Sequence, residues 1–270
     1  MFTIFTVPKP FTDPHISIIQ ENSIRSWKRL SPFCEIILIG NEKGIAEIAK
    51  KLNVAHINNV KYNELGTPLL NSAFELAQKK ANYNILCYLN CDIILLSDFI
   101  DVIKILPKRK FLAVGRRWDI DISDLLNSNN SNFESILKDL IKKSGKLHSY
   151  AGIDYFIFQK NLLKNIPPFA VGRVGWDNWM IYEARRKKIA VIDITEMATV
   201  LHQNHNYPKF NKGSERKTNF EAKKNCAYLK GSPYFFTIED ANYKLTHQGL
   251  LKKWLYFLPF LKRYIKNLFY

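Results

Sequence analysis

Short apolar runs rich in β-branched residues alternate with helical patterns through the first half of the chain. The runs "MFTIFTV", "EIILIG", "VAHI" and "NILCYLN" predict strands, and "EKGIAEIAKKL" and "LLNSAFELAQKK" between them predict helices. Such alternation implies parallel strands joined by crossover helices, an α/β architecture. Ligands of such sheets bind beyond the carboxyl ends of the strands, which nominates Val7 to Lys9, Gly40 to Glu42 and Asn90 to Asp92. From Phe111 the pattern changes. The runs "FLAVGRRWDIDI", "YAGIDYFIF" and "KIAVIDIT", separated by an Asn/Ser-rich loop and a helix around Phe133 to Ser144, predict a second, mixed half of the same sheet. The polar segment "HQNHNYPKFNKGSERK" predicts a loop. No linker composition marks a boundary before residue 248, so residues 1–248 are expected to form one domain, with 249–270 standing apart as a tail.

Composition narrows the class. A hydrophobic content of 47% over 270 residues can fill a complete core. The 40 Lys and Arg against 24 acidic residues, a formal charge of +16, point to an anionic partner: nucleic acid, a phosphorylated ligand or an acidic membrane surface. The basic residues are spread along the chain without zinc-finger spacing or an RNA-recognition aromatic motif, so nucleic acid is not expected. Cys34, Cys87, Cys91 and Cys226 form no CxxC pair, which fits a reducing cytoplasm. The N-terminus has no basic leader with a cleavage site, and no run reaches about 18 apolar residues, so neither a signal peptide nor a spanning helix is expected.

Four stretches carry candidate chemistry. "YLNCDIILLSDF", Tyr88 to Phe99, reads as an interior strand, yet it holds Asn90, Cys91 and Asp92. A buried carboxylate needs a cation, hydrogen-bond donors or an exit to a cleft. Asp92 therefore reads either as a strand-end acid closing a turn or as a ligand for Mg²⁺ or Mn²⁺, which bind carboxylates together with substrate phosphates. In "GTPLLNSAF", Gly66 and Thr67 precede an amphipathic helix, where a turn can bring backbone or a hydroxyl against a nucleotide. In "GWDNW", Asp177 reads as a helix N-cap or as a general base whose pKa its flanking tryptophans raise. His202 and His205 follow the strand-like "EMATVL" and could close a metal site from the far side.

The order of these pieces, "TVPKP", "IGNE", "GTPLLNSAF", "YLNCD", "GWDNW" and "LHQNH", resembles that of nucleotide-sugar glycosyltransferases of the GT-A fold over roughly residues 1 to 207. The resemblance implies a single Rossmann-like domain with a central mixed, mainly parallel sheet flanked by helices. It implies that Asp92 is the last position of an Asp-x-Asp metal motif, that His202 completes the coordination of Mn²⁺ or Mg²⁺, and that Asp177 deprotonates the acceptor hydroxyl in an inverting transfer. Thr6, Val7 and Pro8, with Asn41 and Glu42, fall where such enzymes hold the nucleoside, UDP by default. Arg116, Arg117 or Arg173 could stabilise the leaving diphosphate, and Asp119, Asp121 and Asp154 could bind sugar hydroxyls. The sequence departs from the pattern in three places: Asn90 stands for the first Asp, Trp176 precedes Asp177 where a second carboxylate is usual, and "GNEKG" replaces "DDGS".

The tail joins Lys252, Lys253, Lys262, Arg263 and Lys266 to leucines and aromatic residues with no acid. It reads as a docked helix split at Pro259 or as an interfacial segment on anionic lipid, which would suit a cytoplasmic enzyme, peripheral at the membrane, acting on a glycan or lipid-linked acceptor. The alternative class is a non-catalytic anion-binding protein. A nucleotidyltransferase lacks support, because no Gly-rich, Arg/Lys-bearing first loop is present.

Overall fold

The computed structural model describes residues 1–205, 212–229 and 236–254, together with positions 258 and 261. Strands β1 (Phe2–Thr6), β2 (Cys34–Ile39), β3 (Ala55–Ile57) and β4 (Ile85–Leu89) form the expected parallel half of a sheet, with β1 between β2 and β4. The sheet continues through β9 (Tyr155–Gln159), β6 (Phe111–Val114), β10 (Ala190–Asp193), β12 (Tyr243–Thr246) and β13 (Gly249–Lys252), nine strands in the order β13-β12-β10-β6-β9-β4-β1-β2-β3. It is mixed because β9 runs antiparallel to both β4 and β6, and β12 and β13 form an antiparallel hairpin.

Alternation along the strands divides the core between two faces. Ile36 and Leu38 of β2 point to one side and Ile37 and Ile39 to the other. Helices α1 (Pro14–Lys28), α2 (Ile45–Leu52) and α4 (Asp98–Ile105) cover the first face, where Trp27, Ile48 and Phe99 are buried. Helices α3 (Leu70–Lys80), α6 (Trp176–Arg186) and α7 (Lys212–Leu229) cover the second. There the Phe74 ring stacks on Tyr88 and Phe158. Helix α5 (Phe133–Ser144) occupies the expected residues and packs beside a separate sheet.

That second sheet, four strands in the order β5-β11-β7-β8, is where expectation and structure part. "YLNCDIILLSDF" is not one strand. The chain leaves the main sheet at Leu89, turns through Asn90–Asp92, and enters the small sheet as β5 (Ile93–Leu95), with Ile93 N–H donating to Asn90 O at 3.2 Å. "FLAVGRRWDIDI" likewise splits into β6 and β7 (Trp118–Ile120), so the second half contributes to two sheets rather than one. β8 (Lys146–Leu147) pairs with β7, and β11 (Val200–Gln203) lies between β5 and β7, placing His202 within a strand instead of after it. Two further expectations fail. Lys212 to Lys217 open α7 rather than continue a loop, and the division at 248/249 falls inside the β12–β13 hairpin, so Gly249–Lys252 belong to the sheet. Most of the remaining tail lies outside the described residues. No described helix is long and apolar enough to cross a membrane.

Candidate active site

The parallel register places three strand ends side by side. Thr6 pairs with Leu38 and Phe5 with Tyr88, so Val7–Lys9, Gly40–Glu42 and Asn90–Asp92 emerge together at the carboxyl edge. Thr6 and Pro8 are buried and Val7 is half-buried. Asn41 donates its backbone N–H to the Tyr62 hydroxyl at 2.9 Å. Glu42 has Oε2 shut off from solvent.

The sheet switch after β4 and the pairing of β11 with β5 bring Asp92, His202 and His205 into one group whose ligand atoms lie within 4.8 Å of one another. His205 Nε2 is 3.2 Å and His202 Nε2 3.8 Å from Asp92 Oδ2. Asp92 Oδ1 is buried with no hydrogen-bond partner among the described residues. Buried carboxylate oxygens are seldom left unpartnered, and two neutral imidazoles with a carboxylate form a recognised donor set for a divalent cation. The residues therefore fit a metal. Burial pushes the Asp92 carboxyl up, but the His205 hydrogen bond and the electrostatic influence of the neighbouring His202 and Lys9 side chains outweigh it and hold it below its ordinary value. Burial lowers the His202 pKa, keeping its imidazole neutral and its lone pair available.

A layer of charged groups orients this trio. His202 Nδ1 lies 3.3 Å from Asp119 Oδ1 without the alignment of a hydrogen bond, so the carboxylate acts on the ring through its charge, which favours a proton on Nδ1 and leaves Nε2 facing Asp92. Asp119 also accepts from His148 Nδ1 at 2.6 Å and Arg117 Nε at 3.0 Å. Arg117 pairs in turn with Asp154, whose other oxygen accepts from Asn90 Nδ2 at 2.8 Å. Gln203, fully buried, donates its backbone N–H to Asp92 O at 3.1 Å, and its side chain bonds Asn22 and Ser23 of α1. A cavity of about 310 Å³ lined by His15, Asp121, Ile122, Ser123, Asn204 and His205 opens beside the trio.

Asp177 occupies the first turn of α6, but the cap is Gly175, in the left-handed region at φ 100°, so the N-cap alternative does not hold. Burial raises the Asp177 pKa to about 6, only partly offset by backbone N–H donors from Asn178, Asp177 and Gly175, and Oδ1 has no hydrogen-bond partner among the described residues. Trp176 links this turn to the metal edge: its ring meets Tyr88 edge-on at 5.2 Å, and the Tyr88 hydroxyl lies 3.5 Å from Asn90 Oδ1.

Other expected residues are placed elsewhere. Arg116 spends its guanidinium on the carbonyls of His148 and Leu147 and stacks on Tyr150, and Arg173 pairs with Glu221 of α7. Gly66 lies in an exposed turn. The Thr67 side chain is buried and bonded to Glu221, so its hydroxyl is turned to α7 rather than offered to a nucleotide. Asp121 accepts from Asn204 at 2.8 Å on the wall of the cavity beside the trio. The resemblance left His205 unassigned and gave His148 no place; "KLHSY" carries no spacing that ties it to Asp119, which only the β7–β8 pairing reveals.

No family model matches the chain, and no curated protein matches it. Among solved structures it is similar to glucosyl-3-phosphoglycerate synthase from Mycobacterium tuberculosis, at 14% identity, covering 87% of this chain and 81% of that one, with a TM-score of 0.51. The complex of that enzyme with Mn²⁺, uridine-diphosphate and phosphoglyceric acid matches at 13% identity, over 86% of this chain and 78% of that one, with a TM-score of 0.50. A mycobacterial protein matches at 13% identity, over 87% and 75%, with a TM-score of 0.51. At these identities the likeness is one of architecture, and it shows a GT-A-type fold.

Proposed function

We propose that this protein is a metal-dependent glycosyltransferase that moves a sugar from a nucleotide-diphosphate sugar, UDP by default, to a hydroxyl of a glycan or lipid-linked acceptor, with inversion. The observation that carries the reading is the convergence of Asp92, His202 and His205 at the carboxyl edge of a GT-A sheet. A similar structure holding Mn²⁺ and uridine-diphosphate supports the donor class. With Asn90 in place of a second acid, the donor set is two imidazoles and one carboxylate, which favours Mn²⁺ over the harder, oxygen-seeking Mg²⁺. A divalent cation held by Asp92, His202 and His205 would supply positive charge against the leaving diphosphate. Val7, Pro8, Asn41 and Glu42 cradle the nucleoside at the adjoining strand ends. Asp177 takes the acceptor proton on its carboxylate; a pKa near 6 leaves it ionised at neutral pH yet basic enough for the task.

The basic, aromatic composition of residues 249–270 supports peripheral contact with an anionic cytoplasmic membrane face. Co-flotation of the full chain with anionic but not zwitterionic vesicles is the expected outcome, and equal behaviour with both removes that element. The transferase reading is tested by nucleotide release from a panel of UDP-, GDP-, CMP- and ADP-linked sugars with Mn²⁺. One donor class should be turned over by the wild type and not by Asp177→Asn or Asp92→Asn. Release from no donor, together with RNA retention that falls steeply with salt, would move the protein to the anion-binding class.

A further inference from the structure

A second cavity, of about 250 Å³, lies between the turn that follows β3, the segment leading into α6, and α7. None of its lining residues belongs to the metal group or to the cavity beside it. Its walls are fixed by buried polar bonds. Glu221, 1% exposed, accepts from Asn63 Nδ2 at 2.7 Å and Arg173 Nε at 2.8 Å, tying the turn and the α6 approach to α7. Asn225, also 1% exposed, bonds both backbone groups of Ala170. Across the mouth, Glu64 of the turn pairs with Lys224 of α7 at 2.6 Å. Two tyrosines complete the lining: Tyr228, whose ring meets Phe169 edge-on at 5.7 Å, and Tyr62, held by Asn41.

The lining selects a ligand class. Each carboxylate of the lining is matched by a cation, Glu64 by Lys224 and Glu221 by Arg173, so in a protein of charge +16 this cavity offers no net positive charge to draw the anionic donor. Rigid aromatic rings beside carboxylate and amide groups suit a neutral ring that carries hydroxyls, with apolar C–H faces for the tyrosines and O–H groups for the polar atoms. The volume falls just below the roughly 300–1,000 Å³ of drug-sized sites, which limits the occupant to about one sugar ring. The Pro168–Ala170 wall continues within a few residues into the turn that carries Asp177.

We propose that this cavity is a saccharide subsite that holds one neutral sugar ring of the acceptor on the base side of the reaction centre. Its role as an acceptor subsite rests on the transferase reading above; sugar binding itself does not. The test is saturation-transfer NMR on the full chain with neutral methyl hexosides and N-acetylhexosaminides, and a methyl uronoside as the anionic control. Wild type, Tyr62→Ala and Glu64→Gln are compared, the last altering an exposed side chain that leaves the core intact. A neutral glycoside should bind and the uronoside should not. Either substitution should weaken binding about fivefold, the worth of one aromatic or charged contact. Binding should persist under saturating UDP and Mn²⁺. No signal from any neutral glycoside, a signal unchanged in both variants, or displacement by UDP would overturn the subsite. UDP binding in the same samples reads the transferase proposal separately: glycoside binding without it leaves the subsite standing and removes its acceptor role.

Discussion

Replacing Asp177 with asparagine exchanges a carboxylate held out of water for a neutral amide of the same shape, and should make the protein more stable while stopping turnover. The carboxyl titrates near pH 6 in the fold against an ordinary 3.8, chiefly because burial disfavours its charge. At about 1.4 kcal/mol per pH unit this difference amounts to about 3 kcal/mol. The folded state holds the proton more tightly than the unfolded chain does. Stability from this group is therefore fully present below pH 3.8, is lost as pH rises to about 6, and stays lost above it. Asp177→Asn lacks that loss, and its amide oxygen can still accept from the backbone donors of the first turn of α6. At pH 7.5 the variant should gain up to about 3 kcal/mol, which for a chain of this size is roughly 5–10 °C in Tm. Urea denaturation at several pH values between 4 and 8 reads the effect: the two stability curves should converge near pH 4 and separate up to pH 6. Parallel curves, or a variant less stable at pH 7.5, would refute the assignment of a desolvated carboxylate at this position.

Three further outcomes follow from the geometry. For the wild type, kcat/KM should rise about tenfold per pH unit below pH 6 and level above it, as the Asp177 base ionises; a flat profile from pH 5 to 8 counts against this base. Asp119→Asn should weaken Mn²⁺ affinity about 10–100-fold by calorimetry, because Asp119 orients His202 rather than touching the metal, and unchanged affinity would deny it that role. Glu221→Ala leaves Arg173, largely buried, without its carboxylate and should cost about 3–5 kcal/mol in urea denaturation; a loss below about 1 kcal/mol would show that the link between α7 and the α6 approach is dispensable.

What the sequence disclosed depended on how local the cause was. The parallel half was legible because β1, β2 and β4 are buried on both faces and so read as continuous apolar runs. Helix α5 lies where the sequence reading put a helix, around Phe133 to Ser144. Helix α1 passed unassigned, although Asp13 caps it and Pro14 opens it, because its buried face carries Gln20, Asn22, Ser23 and Ser26, polar residues that erase the apolar stripe. These side chains serve long-range bonds: Asn22 reaches Gln203 and Asp124, and Ser26 receives Leu95 N–H. The second sheet was hidden for a similar reason, since β5, β7, β8 and β11 are two to four residues each and take their register only from one another. In the site, Asp92 and His202 could be assigned by motif order. His205 was nominated beside His202, three residues on; Asp119 and His148 join them through that second sheet, and the commitments of Thr67, Arg116 and Arg173 to protein partners are tertiary facts that no local pattern announces.

The most direct measurement is a thermal-shift titration of UDP in Mn²⁺ and in EDTA, on the wild type and on Asp92→Asn. If Asp92, His202 and His205 hold a cation that in turn holds the donor diphosphate, UDP at about 100 times its dissociation constant stabilises the wild type by roughly 2.7 kcal/mol in Mn²⁺. The shift should vanish in EDTA and in the variant. A UDP shift of equal size in EDTA, one that survives in Asp92→Asn, or none under any condition in folded protein would contradict a metal-held nucleotide at this edge of the sheet.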